Sequence, residues 1–351
     1  MALASNQRGK RRDQIVAIDL GSRTTKAVFL QRKGDTFALA RYTIQDAPIY
    51  EKGVNPDLLG EHLKSVYSAL TPKTKQVILS VGVADSILRN AELPQITISE
   101  MRQMLKFNTK NYLQQDLADY VFDCSIVPPR QLPKADAPKL TKYKVWVGGA
   151  KSQLVQTLQT ATKNAGLVAD AITLSVLGPT NAFEMAQPEP FAKEVVALVD
   201  VGFKNSTIGI LQEGELVLSR VVGIGGDKLT TGLAEAMGVS YAEAEGIKVG
   251  MPQEVESALQ PLLSPLGREL RASIDFFEHQ QDKTVGQVYL SGGAARSEFI
   301  VQALQSELMV TCKSWNPVSF LTMALPPQQV GEIEQVAPQL AVAVGAAASA
   351  F

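Results

Sequence analysis

The sequence predicts an α/β protein of two duplicated lobes, with a small α+β subdomain inserted in the first. Two observations carry that reading. A block at residues 16–31, built on Asp19-Leu20-Gly21, returns at 197–212 on Asp200-Val201-Gly202. Leu30-Gln31 and Leu211-Gln212 keep register in the two copies, and a one-residue gap then aligns Gly34-Asp35 with Gly214-Glu215. Each copy reads as an apolar strand, a turn, a second strand, a glycine hairpin and a third strand, a repeated β-meander. The other observation is a change of texture over residues 89–165, where short strand and helix patterns flank a polar, Pro-rich loop at 128–138.

The remaining elements follow in order. Asn55-Pro56 starts a helix, with Asn as cap and Pro in the first turn. Leu58, Leu59, Leu63, Val66, Tyr67 and Leu70 then recur at helical spacing, and a strand is expected at 77–81. Inside the inserted block a helix follows Ser99, strands run near 120–127 and 143–149, and a helix near 152–165 closes it. The main fold resumes with a strand at 167–174 and a helix to about residue 185. Gln187-Pro188-Glu189-Pro190 reads as a linker to the second meander. Helices are expected at about 227–237, 241–249 and 254–281, then a strand ending at Leu290. A last helix at 340–350 is mostly Ala and Val, which suits close packing on several sides. The domain plan is a basic leader at 1–13, a first lobe of 14–88 plus 166–190, the insert at 89–165, and a second lobe of 191–351 whose closing helix packs back toward the first.

Composition narrows the function classes. The chain of 351 residues has room for more than one core. A formal net charge of −1 argues against a broad nucleic-acid surface, which needs a basic excess. No apolar run reaches the roughly 18–20 residues that span a bilayer. The basic stretch Arg8, Lys10, Arg11 and Arg12 precedes no signal-type apolar segment, so the chain reads as cytoplasmic. That leader reads as disordered and solvated, with attraction to anionic lipid as the sharper option. Cys124 and Cys312 stand far apart without metal-ligand spacing, against a disulfide framework or zinc site. His62 and His279 fall in expected helices among polar residues and read as solvated surface side chains.

The chemistry sits in the turns. A polyphosphate needs backbone N–H donors close to its oxygens, and glycine permits that approach. Gly21, Ser22 and Thr24 make one such turn, and Lys26 brings a cation toward the terminal phosphates, unless it merely faces solvent at a strand edge. Gly202, Lys204, Asn205 and Ser206 make the second. Asp19 and Asp200 stand at strand ends, where carboxylates hold Mg2+ through water; the plainer role for each is to order its own turn. Gly223-Ile224-Gly225-Gly226-Asp227 leads into a helix whose N-terminus favours anionic oxygen. Glu245 and Lys248 share a helix face, as a surface ion pair or as partners for ribose hydroxyls. Ser291-Gly292-Gly293-Ala294 follows an apolar strand and lets backbone approach a flat adenine ring. In this order the motifs point to a nucleotide cleft between the lobes, with ATP and Mg2+ as cofactors.

On these residues the sequence resembles the actin-like ATPase superfamily, with its ribonuclease H-like lobes, and within it the FtsA/PilM branch. Residues 19–26 match the first phosphate loop, 200–206 the second, 290–295 the adenosine motif and 340–350 the closing helix. Asp19, Gly21 and Lys26 meet the PilM family's Asp-x-Gly-x-x-x-x-Lys pattern, Gly225-Gly226 its Gly-Gly turn, and Glu245 and Lys248 its Glu-x-x-Lys. The run Leu88-Arg89-Asn90-Ala91-Glu92-Leu93-Pro94, and a closing helix with no amphipathic segment after Phe351, resemble PilM rather than FtsA. The resemblance implies an SHS2-type insert and a cytoplasmic ATP-binding adaptor of type IV pilus assembly, peripheral to the inner membrane through a partner. It implies as partners the N-terminal tail of a PilN-like membrane protein, bound beside the insert, other inner-membrane pilus components, and further copies of the chain. An FtsA-like division or secretion adaptor and an actin-fold small-molecule kinase are the alternative readings.

One departure bears on hydrolysis. Relatives carry an acidic residue soon after the strand that re-enters the main fold, near the γ-phosphate. Thr173 falls in that place here, with Asp170 and Glu184 as substitutes in another register. A water that attacks phosphate needs a residue to orient it. Binding is therefore expected, with slow hydrolysis at most, and no catalytic residue is assigned.

Overall fold

The computed structural model describes residues 12–50, 53–127, 142–250 and 252–351. Residues 1–11 of the expected leader and the loop at 128–138 lie outside the described residues. The first meander is β1 (Gln14–Leu20), β2 (Thr24–Lys33) and β3 (Thr36–Asp46). β1 is buried on both faces, as a Val/Ile/Ala run inside a sheet requires. α1 (Pro56–Leu70) begins as expected, with Asn55 Oδ1 accepting from the amides of Asp57 and Leu58 at 2.9 and 3.1 Å. Next come β4 (Gln76–Val81), β5 (Ser86–Pro94), α2 (Ile98–Leu113), β6 (Tyr120–Ile126), β7 (Lys142–Lys151), α3 (Ser152–Asn164) and β8 (Val168–Leu174). α4 (Gly178–Ala186) and α5 (Pro188–Lys193) lead to the second meander, β9 (Val195–Val201), β10 (Ser206–Gln212) and β11 (Glu215–Val222). α6 (Gly226–Met237), α7 (Tyr241–Gly250), α8 (Glu256–Gln281), β12 (Gln287–Ser291), α9 (Glu298–Leu308), β13 (Cys312–Ser314) and β14 (Thr322–Met323) precede a closing helix, Ala341–Ala348.

These strands form three sheets, ordered β14-β3-β2-β1-β4-β8, β11-β10-β9-β12-β13 and β5-β7-β6. β4 runs parallel to β1 and β12 parallel to β9, so both large sheets present carboxyl strand ends, the usual place for a ligand in α/β folds. One core joins the two large sheets. Phe183 of α4 is fully buried there, its ring centroid 4.6 Å from that of Tyr289 and 5.3 Å from that of Trp315. The closing helix crosses α4 at the same level, where Gly345 meets Gly178; a Cβ on Gly345 would lie 1.8 Å from the Gly178 carbonyl oxygen. The far face of the second sheet packs on α6, α8 and α9 through Leu233, Leu263 and Leu304. The small sheet has its own core under α2, around Leu93, Met101, Leu105, Val145 and Val147.

Some local expectations change. The run 86–94 is a strand, β5, paired antiparallel with β7. α2 is capped at Thr97 rather than at Ser99, because Thr97 and Glu100 form a reciprocal capping box. α3 leaves the insert: Leu158 and Ala161 are buried in the first core, beside α1. The expected linker at 187–190 opens a short helix, since Pro188 sits in the first turn where a missing N–H is harmless. The return to the first lobe starts before the closing helix. β14 pairs with β3, and Trp315, Val318, Leu321 and Leu325 are buried in the shared core. The insert also touches the second lobe, through Trp146 Nε1 donating to the Leu216 carbonyl at 3.0 Å and Lys144 paired with Glu215 at 2.9 Å.

Candidate functional site

The two meanders end on one cleft of about 860 Å³, a volume within the range of small-molecule sites. Asp19 closes β1 and faces Lys26 across the hairpin, with Nζ 3.6 Å from Oδ2. Lys26 therefore lines the cleft instead of facing solvent at a strand edge. Burial pushes the Asp19 carboxyl above the usual carboxylate range, and Lys26 opposes that rise. Asp200 closes β9 and accepts a hydrogen bond from Ser291 Oγ at 2.8 Å. Burial raises its carboxyl too, against the Ser291 bond and the charge of Lys26. A buried and a half-buried carboxylate with one lysine near them leave room for a further cation, since desolvated charge needs compensation.

The second turn and the start of α6 are locked together. The amides of Gly226 and Asp227 donate to the carbonyls of Gly202 and Phe203, each at 2.9 Å, and the next two amides of the helix reach the Gly225 carbonyl. The expectation that this helix start takes an anionic oxygen is corrected by these bonds, because the first-turn donors already hold the Asp-Gly turn. Gly202 and Gly226 line the cleft. Ser206, expected among the phosphate donors, is fully buried, and its Oγ donates to the Ile224 carbonyl at 2.6 Å. Asn205 contributes its carbonyl to the Gly202 amide at 3.1 Å. Of the first turn, Thr24 lines the cleft, while Gly21 and Ser22, like Asn205, Ser206 and Gly225, stand outside its lining.

Glu245 and Lys248 also line the cleft, and their expected pairing is present. Lys248 Nζ donates to Glu245 Oε2 at 2.6 Å, and Thr230 Oγ1 lies 2.5 Å from both atoms. Burial pushes the Glu245 carboxyl up, but the bonds from Lys248 and Thr230 outweigh it and leave the group below its ordinary value. Gly292, Gly293 and Ala294 form the facing wall. Gly292 has φ +88°, and a Cβ there would lie 2.4 Å from the Val201 carbonyl oxygen, so this wall presses directly on the end of β9. α9 begins only at Glu298, after a 3-10 turn.

Some features of the cleft were not read from sequence. Arg23 and Phe203, neighbours of the two glycines, line it as well. The signal for Arg23 was a cation in the middle of a phosphate-type turn. Strand register aligns Lys26, Asp19, Ser80 and Thr173 across β2, β1, β4 and β8. Ser80 is fully buried and its hydroxyl has no hydrogen-bond partner among the described residues. Thr173, in the place of the acidic residue, donates to the Leu79 carbonyl at 3.4 Å. Asp170 pairs with Arg12 at 2.8 Å, and neither it nor Glu184 lines the cleft. His62 is half-buried rather than a solvated surface residue. Its Nε2 lies 2.8 Å from Thr25 Oγ1, because β2 turns Thr25 to the α1 side, and burial lowers its pKa. Cys124 and Cys312 are both free and buried.

The donor set fits Mg2+ held mainly by water. Among the described residues no group of three or more His, Cys, Asp or Glu forms a metal cage. Asp19 and Asp200, with the orphaned Ser80 hydroxyl beside Asp19, suit an ion that keeps several waters. No helix of the described residues is long and apolar enough to cross a membrane.

Comparison with known proteins agrees with this architecture. A family model described as type IV pilus assembly protein PilM matches residues 17–351. The solved PilM-PilN type IV pilus biogenesis complex superposes with a TM-score of 0.82 at 21% identity, over 96% of this chain and 98% of that one. The ethanolamine utilization protein EutJ of Carboxydothermus hydrogenoformans gives 0.58 at 14% identity, over 97% and 90%. MreB 5 of Spiroplasma citri, solved with AMPPNP, gives 0.51 at 9%, over 96% and 95%. The expected actin-like ATPase fold is thus the observed one. Cell division protein FtsA of Agrobacterium fabrum is 30% identical over 112 residues, 29% of this chain and 24% of its own length. The chain therefore matches about a quarter of that curated relative.

Proposed function

As the chain belongs to the PilM family of type IV pilus assembly proteins, we propose that it is a cytoplasmic adaptor that binds Mg-ATP and recruits the N-terminal tail of a PilN-like inner-membrane protein. The observation that carries the nucleotide reading is the convergence of Asp19, Lys26, Asp200 and Gly202 on a single cleft, with Glu245, Lys248 and Gly292-Gly293 on its other walls. Asp19 and Asp200 hold the ion through water, the two turns meet the phosphates, and Glu245 and Lys248 take the ribose. Hydrolysis is slow, because Thr173 stands where relatives carry a carboxylate and neither nearby acid reaches the cleft. Tail recruitment is supported by family membership and by the likeness to the PilM-PilN complex; the proposed seat of the tail is beside the small sheet. Attachment to the membrane surface then runs through the partner.

Calorimetric titration of ATP into the purified chain, with and without Mg2+, tests the cleft; heat in neither condition would remove the nucleotide reading. A peptide from the cytoplasmic start of a PilN-like membrane protein of the same organism tests the adaptor role. Its failure to bind, with nucleotide or without, would return the chain to the FtsA-like alternative.

A further inference from the structure

Arg23 projects from the first turn, in the first lobe, and reaches the second lobe. Its Nη2 lies 3.9 Å from Glu245 Oε1, and its guanidinium carbon stands 5.1 Å from the centre of the Phe203 ring. The backbone beneath it is tied down, since the Ala47 amide donates to the Arg23 carbonyl at 2.8 Å. Glu245 is held unequally: Oε2 receives Lys248 Nζ at 2.6 Å, while Oε1 faces the longer contact from Arg23. The Arg23 side chain is 41% exposed, so its ion pair is weak and readily exchanged. A phosphate offers the same guanidinium a shorter, two-pronged contact. The turn that carries Arg23 also carries Asp19 and Lys26, which with Glu245 line the same cleft; in the nucleotide reading above the turn meets phosphate and Glu245 meets ribose.

We propose that Arg23 is a specificity residue that exchanges its contact with Glu245 for phosphate when a nucleoside polyphosphate binds, freeing Glu245 Oε1 for a ribose hydroxyl. The inference rests on the nucleotide reading above and adds a coupling within it. A ligand with phosphates replaces the contact that it breaks. A nucleoside without them competes with Arg23 and returns nothing, so the cleft selects against nucleosides.

The test titrates Mg-ATP, ADP and adenosine into the full chain and into Arg23→Gln and Arg23→Lys, with thermal melts as a folding control. Arg23→Gln is expected to weaken ATP and ADP by about tenfold or more, the loss of one charge-assisted contact. Adenosine binding to the same variant is expected to hold or to tighten by up to about fivefold. Arg23→Lys keeps the charge without the fork and falls between. Equal shifts for all three ligands, or no shift for any, would overturn the role of Arg23 while leaving nucleotide binding intact. Absence of ATP binding to the unmodified chain would overturn the nucleotide reading itself and this inference with it.

Discussion

Gly345→Ala puts the crossing of the closing helix and α4 under direct test. The added Cβ would lie 1.8 Å from the Gly178 oxygen and 2.5 Å from its carbonyl carbon, both backbone atoms. Ordinary contact begins at 3.4 Å, so the helices must part by about 1.6 Å. No rotamer change relieves a backbone-to-backbone clash. Ala341, Ala343, Val344 and Ala347 are buried around the crossing and lose contacts as it opens. Overpacking of this kind costs about 3 kcal/mol or more, a fall in Tm of roughly 6 °C at about 2 °C per kcal/mol. Gly246→Ala in α7 is the matched control: no heavy atom stands within 4 Å of its added Cβ. It is expected to be neutral or to gain about 0.4–1 kcal/mol from a stiffer unfolded chain. Urea and thermal melts by circular dichroism measure both. If Gly345→Ala melts with Gly246→Ala, the two helices do not meet as closely as described.

Three further outcomes follow from the site and the cores. Burial raises the Asp200 carboxyl, so its charge is a cost to the fold that grows as pH rises past the usual carboxylate range and vanishes below it. Asp200→Asn is thus expected to raise the melting temperature at neutral pH while lowering Mg-ATP affinity by about tenfold or more; a variant that melts lower and binds normally would contradict both halves. Glu245 shows the opposite sign. Its folded value lies below its unfolded one, so its contribution is full above the unfolded carboxylate value and fades as pH falls through the lowered one. Urea midpoints between pH 6 and 3.5 should fall less steeply in Glu245→Gln than in the parent chain. Burial pushes the Cys312 thiol up to about 12, and Cys124 is raised by burial beside Asp123. Both are expected to resist a thiol reagent in the native chain at pH 8 and to react promptly in urea; fast native labelling would show that one of them is exposed.

How far the sequence reached depends on the kind of signal. β1 and β9 were legible because an apolar run ending in Asp-x-Gly is a local pattern, and register then places Lys26 opposite Asp19 with no further information. β5 was missed because its buried residues Leu88, Ala91 and Leu93 break the two-residue period, with Arg89, Asn90 and Glu92 between them. β14 has only two residues and exists through its pairing with β3, a contact far away in sequence. The inward hydroxyl of Ser206 was unreadable for another reason. β10 is buried on both faces, so alternation does not say which side a residue takes. The reach of Arg23 to Glu245 depends on how the lobes face each other, which no spacing along the chain encodes.

The late return of the chain to the first sheet sets an order of assembly. The second sheet and its far-side helices come from one continuous stretch, β9 to β13, and close their own core from nearby residues. The first lobe cannot do the same. Its core waits for Trp315, Val318, Leu321 and the closing helix, and its sheet waits for β14. On a ribosome, where domains usually mature from the N-terminus onward, this chain finishes its first-made lobe last. Until the closing helix emerges, the sheet that carries Asp19 and Lys26 lacks part of its core. A truncated or stalled chain therefore presents a folded second lobe beside an unfinished first one, and the cleft forms only on completed molecules.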